Sequence, residues 1–169
     1  FIEWTNEYES DPDFGNQFSF GGLTITGNNF IASDVASWFS FIVLKPYGSG
    51  HTLQGFNMSG NAFRVFSTTI DRVETVDTSF APLNRYSMKN ITVEANTFNG
   101  ISQVTANPVT VQHDQATEAT VWSVNAAGYL PFGGLARNVE SIVTEGAVTG
   151  PLGERRGDMP YVTVEQRGG

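Results

Sequence analysis

A nine-residue word occurs three times in this chain and constrains it more than any other feature. The copies are Gly22-Leu-Thr-Ile-Thr-Gly-Asn28-Asn-Phe30, Gly55-Phe-Asn-Met-Ser-Gly-Asn61-Ala-Phe63 and Asn90-Ile-Thr-Val-Glu-Ala-Asn96-Thr-Phe98. The interval is 33 residues from Asn28 to Asn61 and 35 from Asn61 to Asn96. A fixed word at a near-fixed period is the mark of a solenoid. Within each copy Leu23/Ile25, Phe56/Met58 and Ile91/Val93 alternate with polar residues, the period of a strand with one buried face. Gly27, Gly60 and Ala95 are small, where the backbone must bend. Asn28, Asn61 and Asn96 suit the corner, because Asn tolerates the left-handed conformation and bonds its own backbone. Copies stacked in register would join these amides into a ladder and Phe30, Phe63 and Phe98 into a column of rings. No copy can bury its apolar face alone, so stacking is what makes the core.

Two solenoids fit the word. A leucine-rich repeat has apolar residues at similar offsets and an Asn at the bend, and Phe20, Leu53 and Met88 supply the leading apolar position. Its repeat of about 20–29 residues is too short, however. The residues between copies lack helical periodicity and are rich in Val, Thr, Phe, Ser and Gly, which favours strands and turns. The expectation is an all-β chain, a parallel β-helix with each coil about one repeat long.

At 169 residues the chain has the length of one domain with a substantial core. Phe1 to Glu7 reads as a strand with no turn before it, which implies that earlier coils precede this segment. Glu7 to Asn16 is an acidic loop, Ile31 to Ser37 a loop, Trp38 to Leu44 a buried strand and Pro46 to Gly50 a turn. Thr69 to Val76 is a weaker strand, Asp77 to Ser87 a loop and Pro108 to Gln112 a strand. After about Asp114 the repeat fails. Further strands are expected at Ala116–Asn125, Asn138–Glu145 and Tyr161–Gln166. The division that follows is residues 1–114 as coils, the C-terminal part of a longer solenoid, and 115–169 as a non-repeating β cap and oligomer contact.

The net charge of −8 and pI near 4.6 argue against nucleic acid and anionic membrane surfaces as partners. The longest apolar run, Trp38 to Leu44, is too short to span a bilayer. There is no cysteine, which fits an exported or virion protein.

The Asn-x-Phe corners on coils of this length resemble the right-handed β-helix proteins of the pectate-lyase-like superfamily. They look most like glycoside hydrolase family 28-related proteins of bacteriophages, prophages and gene transfer agents. That resemblance implies a right-handed helix, often a homotrimeric tailspike or head spike, on the virion surface beside other virion proteins. It implies binding, and sometimes cleavage, of the host's cell-surface polysaccharide. The calcium-binding carboxylates and Arg base of pectate lyases, and the Asp motifs of polygalacturonases, are not found here.

Catalysis of glycoside hydrolysis needs two carboxyl groups flanking the scissile bond. Glu3, Glu7 and Asp71 are the candidates, with Glu3 pointing outward beside Val43 or Lys45 of the next coil. Surface acids are otherwise ordinary. Glu7, Glu9, Asp11 and Asp13 do not have the spacing of a calcium loop, and His51 and His113 lie in no metal spacing, so neither a metal nor another cofactor is expected. Trp4, Trp38, Tyr47 and Trp122 are candidate sugar platforms. Trp38 and Trp122 sit in apolar runs and read as core, leaving Tyr47, in its Pro-Gly turn, together with Lys45 and Trp4 as the carbohydrate-binding set. Lys45, Arg64, Arg72, Arg85 and Lys89 form a prospective basic strip around the middle coils. Two functions follow: a non-catalytic spike segment that binds surface polysaccharide, or a polysaccharide depolymerase whose catalytic coils lie partly upstream.

Overall fold

The structure, a computed structural model, describes residues 1–5, 18–158 and 160–164. The acidic loop with Glu7, Glu9, Asp11 and Asp13, and the end of the expected strand Tyr161–Gln166, lie outside the described residues.

The chain passes three times through the same three sheets. The first pass contributes β1 (Ile2–Thr5), β2 (Ser19–Gly21), β3 (Thr24–Thr26) and β4 (Asn29–Ser33). The second contributes β5 (Ile42–Lys45), β6 (Thr52–Ser59) and β7 (Ala62–Phe66), and the third β8 (Glu74–Val76), β9 (Lys89–Glu94) and β10 (Thr97–Asn99). The sheets are β1-β5-β8, then β6 between β2 and β3 on one side and β9 on the other, then β4-β7-β10. Every one of these pairings is parallel. The architecture is thus all-β with parallel sheets, and no α-helix lies between the words among the described residues.

Register follows the word. Ile25 pairs with Met58 and Met58 with Val93, while Phe30 pairs with Phe63 and Phe63 with Phe98. The three phenyl rings stack nearly parallel, at 4.7 Å and 6° for Phe30–Phe63 and 5.7 Å and 9° for Phe63–Phe98. The Asn ladder forms as expected. Asn28 Nδ2 donates to Asn61 Oδ1 at 3.1 Å, and Asn61 Nδ2 to Asn96 Oδ1 at 2.9 Å. Each Oδ1 also accepts the backbone N–H of the preceding rung, at 2.9 Å in both cases. Asn61 Nδ2 and Asn96 Nδ2 satisfy the carbonyls of Ile25 and Met58 as well.

The bend sits on the small residue of each corner, as expected, and the Asn beside it takes no share of the left-handed conformation: φ is +69° at Gly27, +64° at Gly60 and +53° at Ala95. The Asn side chain is committed to the ladder. A second left-handed column, Asp34, Ser67 and Gly100, closes β4, β7 and β10. At Gly100 a Cβ would stand 2.4 Å from the Val65 carbonyl oxygen, which only Gly avoids.

The core fills the space enclosed by the sheets with Phe20, Phe41, Ile42, Leu44, Leu53, Phe56, Met58, Phe63, Val65 and Ile70 among others. Ile31 to Ser33, expected in a loop, complete β4, and the buried strand expected from Trp38 begins only at Ile42. Trp38 is 82% exposed, outside the core, because the turn closed by Phe39 N–H donating to the Ala36 carbonyl carries it outward. Trp122 is likewise on the surface, its Nε1 donating to the Ala119 carbonyl.

Past Ile101 the chain departs from expectation. No strand forms over 108–112, 116–125, 138–145 or 161–164. Alternating apolar residues make a strand only where an edge is available to pair with. Here Asn107 takes most of the β9 edge, exchanging both backbone hydrogen bonds with Val93 and donating Nδ2 to the Ile91 carbonyl. Leu130, Pro131 and Phe132 are buried instead, and the Phe132 ring meets Phe56 edge-on at 5.2 Å.

Candidate functional site

The outer face of β1-β5-β8 and the turn after β5 bring together Glu3, Lys45 and Tyr47. Glu3 stands beside Val43, as expected, and Val43 beside Thr75. Lys45 closes β5 next to Thr5, and Asp77 follows β8, its N–H donating to the Leu44 carbonyl. Lys45 Nζ lies 3.1 Å from Asp77 Oδ2 and 5.0 Å from the centre of the Phe80 ring. Phe80 in turn stacks on Tyr47, 4.3 Å away and 18° from parallel. Two aromatic rings, an ammonium and a carboxylate thus share one partly exposed patch.

Local structure holds the patch in shape. The turn bearing Tyr47 is pinned from beneath by His51, a buried side chain whose Nδ1 accepts the N–H groups of Tyr47 (3.3 Å) and Gly48 (3.2 Å). His51 itself packs against Phe18 and Phe20. The Asp77 carboxylate accepts the hydroxyl and the N–H of Ser79. These bonds, the hydroxyl first, hold it below the usual carboxylate range. The hydrogen bond to Asp77 in turn raises the Lys45 ammonium above its ordinary value, with the Glu3 charge adding to it. The pair is therefore ionised at neutral pH, an acceptor and a donor side by side beneath an aromatic wall. The C–H faces of hydroxyl-rich rings pack on aromatics and their hydroxyls bond charged pairs, so the chemistry of the patch matches such rings.

The other candidates are placed differently. Trp4 turns inward, packing against the core with its ring 5.7 Å from Phe20. Asp71 is bonded to Arg72 Nε at 3.1 Å and sits level with Ser37, whose carbonyl accepts its N–H. It lies four residues before Thr75, which is in line with Glu3 but two strands away. Two strand spacings alone are about 10 Å, so Glu3 and Asp71 do not face each other across one bond. Glu7 lies outside the described residues. The basic strip is not assembled either: Lys45 is paired with Asp77, Arg72 with Asp71, Arg85 donates to the Phe132 carbonyl, and Arg64 and Lys89 stand on the other two sheets. Among the described residues no three His, Asp or Glu side chains gather as metal ligands, and no helix is long and apolar enough to cross a membrane.

Sequence reasoning missed Phe80 and Asp77. The signal was present: Tyr47 to Phe80 is 33 residues and Lys45 to Asp77 is 32, the period of the word carried beyond the word. Glu74, which the sequence groups with Asp71 on the strand comparable to that of Glu3, occupies instead an inward position of β8 beside Ile42 and is fully buried. Burial pushes its carboxyl up to about 7, against the hydrogen bonds that it accepts from Thr105 Oγ1 (2.9 Å) and Phe132 N–H (3.3 Å).

Comparison with known proteins finds no matching family model, curated protein or solved structure.

Proposed function

We propose that the three stacked passes are coils of a right-handed parallel β-helix that binds a cell-surface polysaccharide of a host and does no chemistry on it. Parallel connections between strands of one sheet are right-handed in nearly all proteins, and the in-register Asn and Phe columns fit successive coils. The resemblance of the Asn-x-Phe corners to virion spike proteins supports placement on a virion surface, as a homotrimer beside other virion proteins. The observation that carries the binding reading is the patch of Lys45, Tyr47, Asp77 and Phe80. Its balanced ion pair suits the hydroxyls of neutral or amino sugars.

The test is a glycan array of bacterial surface polysaccharides with a parallel assay for new reducing ends. The chain is expected to retain a subset of the glycans and to release no ends. Tyr47→Ala combined with Phe80→Ala should remove that retention while lowering the thermal unfolding midpoint only modestly, because Phe80 is exposed and Tyr47 half-buried. Retention unaffected by the double substitution would displace the site from this patch. Release of reducing ends would replace the binding reading with a depolymerase.

A further inference from the structure

The outer face of β4-β7-β10 takes no part in the patch above. Its outward residues stand in rows: Asn29, Ala62 and Thr97, then Ile31, Arg64 and Asn99, then Ser33 and Phe66. None of them is acidic, although the chain carries a net charge of −8. A groove of about 360 Å³ opens along this face, lined by Phe63, Arg64, Phe66, Thr97, Phe98 and Asn99. Ligand pockets run from roughly 300 to 1,000 Å³.

The polar groups of this groove are uncommitted. Arg64 has neither an ion pair nor a hydrogen bond to any described residue, and the side chains of Thr97 and Asn99 have no such partner either. The contrast is with Arg72, Arg85, Arg137 and Arg156, each bonded to a carboxylate or a carbonyl. Phe66, 48% exposed, lies two residues along the same strand face from Arg64.

We infer that this groove binds a carboxylate-bearing sugar residue, a uronic or nonulosonic acid, of the polysaccharide. The inference rests on the reading that the chain binds polysaccharide and adds a second site with its own specificity. The planar guanidinium fork of Arg64 matches a carboxylate with two parallel hydrogen bonds, which a neutral sugar cannot return. Phe66 offers an aromatic surface to the sugar ring, and Thr97 and Asn99 supply a hydroxyl and an amide for its remaining oxygens. The overall negative charge does not oppose this. Its field is screened within about 8 Å at physiological ionic strength, and the strands beneath the groove contribute no acid.

The experiment uses the full chain on an array of matched oligosaccharide pairs, each acidic glycan beside its carboxyl-reduced form, at physiological salt. The unsubstituted chain is expected to hold the acidic member about tenfold or more tightly than the reduced one. Arg64→Gln should abolish that ratio, and Arg64→Lys should restore it only in part. Thermal unfolding of each variant matched to the parent shows that the fold is intact. An acid preference that survives Arg64→Gln overturns the inference. Retention of glycans with no acid preference overturns it while leaving the polysaccharide reading standing. Retention of no glycan of either form overturns both.

Discussion

At each corner two neighbouring residues divide the work, one bending the backbone and the other bonding up the stack. Asn61 is the middle rung, with its amide serving the Ile25 and Ser59 carbonyls and both neighbouring Asn residues. Asn61→Ala would leave buried groups without partners, and a loss of about 1–3 kcal/mol in denaturant unfolding is expected. Asn28→Ala, at an exposed end rung, should cost less; an equal cost would show that the rungs act independently of their position. Ala95 carries the left-handed bend that Gly27 and Gly60 carry elsewhere. A Cβ in that conformation costs about 1–2 kcal/mol, part of which the greater freedom of unfolded Gly takes back. Ala95→Gly is therefore expected to stabilise by up to about 1 kcal/mol, and a lower unfolding midpoint would refute the strain. The ladder and ring column were legible because side-chain chemistry recurred with the period. The bend was legible too, in the small residues Gly27, Gly60 and Ala95; that Asn takes no share of positive φ was not, because Asn tolerates that conformation as well.

Between elements, the chief junction joins β8 to the residues that follow the stack. Glu74 receives Thr105 and Phe132 on its two oxygens, and Arg85 Nε donates to the Phe132 carbonyl from the other side. The nearby charge is Arg72, which opposes protonation more weakly than burial favours it. Because the folded carboxyl titrates near 7 rather than at its ordinary 4.5, the folded state binds the extra proton between those values. Its contribution is complete below about pH 4.5 and is lost as pH rises through about 7, roughly 3 kcal/mol in all. Glu74→Gln should flatten this fall in stability between about pH 4.5 and 7, its amide oxygen accepting the Phe132 N–H and its amide N–H donating to the Thr105 hydroxyl. Equal slopes in the two proteins would exclude Glu74 as the titrating group. An acid in an inward strand position was readable only once the register of β8 was known. The strands expected beyond Asp114 failed for the complementary reason: alternation describes a surface that fits a sheet but says nothing of whether an edge remains to receive it.

For the molecule as a whole, Val121, Val143, Leu152 and Tyr161 remain well exposed beyond the last pass, apolar surface that the proposed homotrimer would cover. Light scattering at micromolar concentration should return three times the chain mass, and a monomer there would refute the trimer. The three-pass register has one more consequence. Asn28 and Asn61 occupy equivalent places, as do Asn29 and Ala62, so the segment from Asn29 through Asn61 behaves as a unit of length. Excising it joins Asn28 directly to Ala62 and leaves each remaining side chain on its original face, whereas one residue more or fewer within the word would break its register; between the words the loops absorb such differences, as the intervals of 33 and 35 residues show. The period is a ruler: such a chain can lengthen or shorten by whole passes while its sheets keep their order.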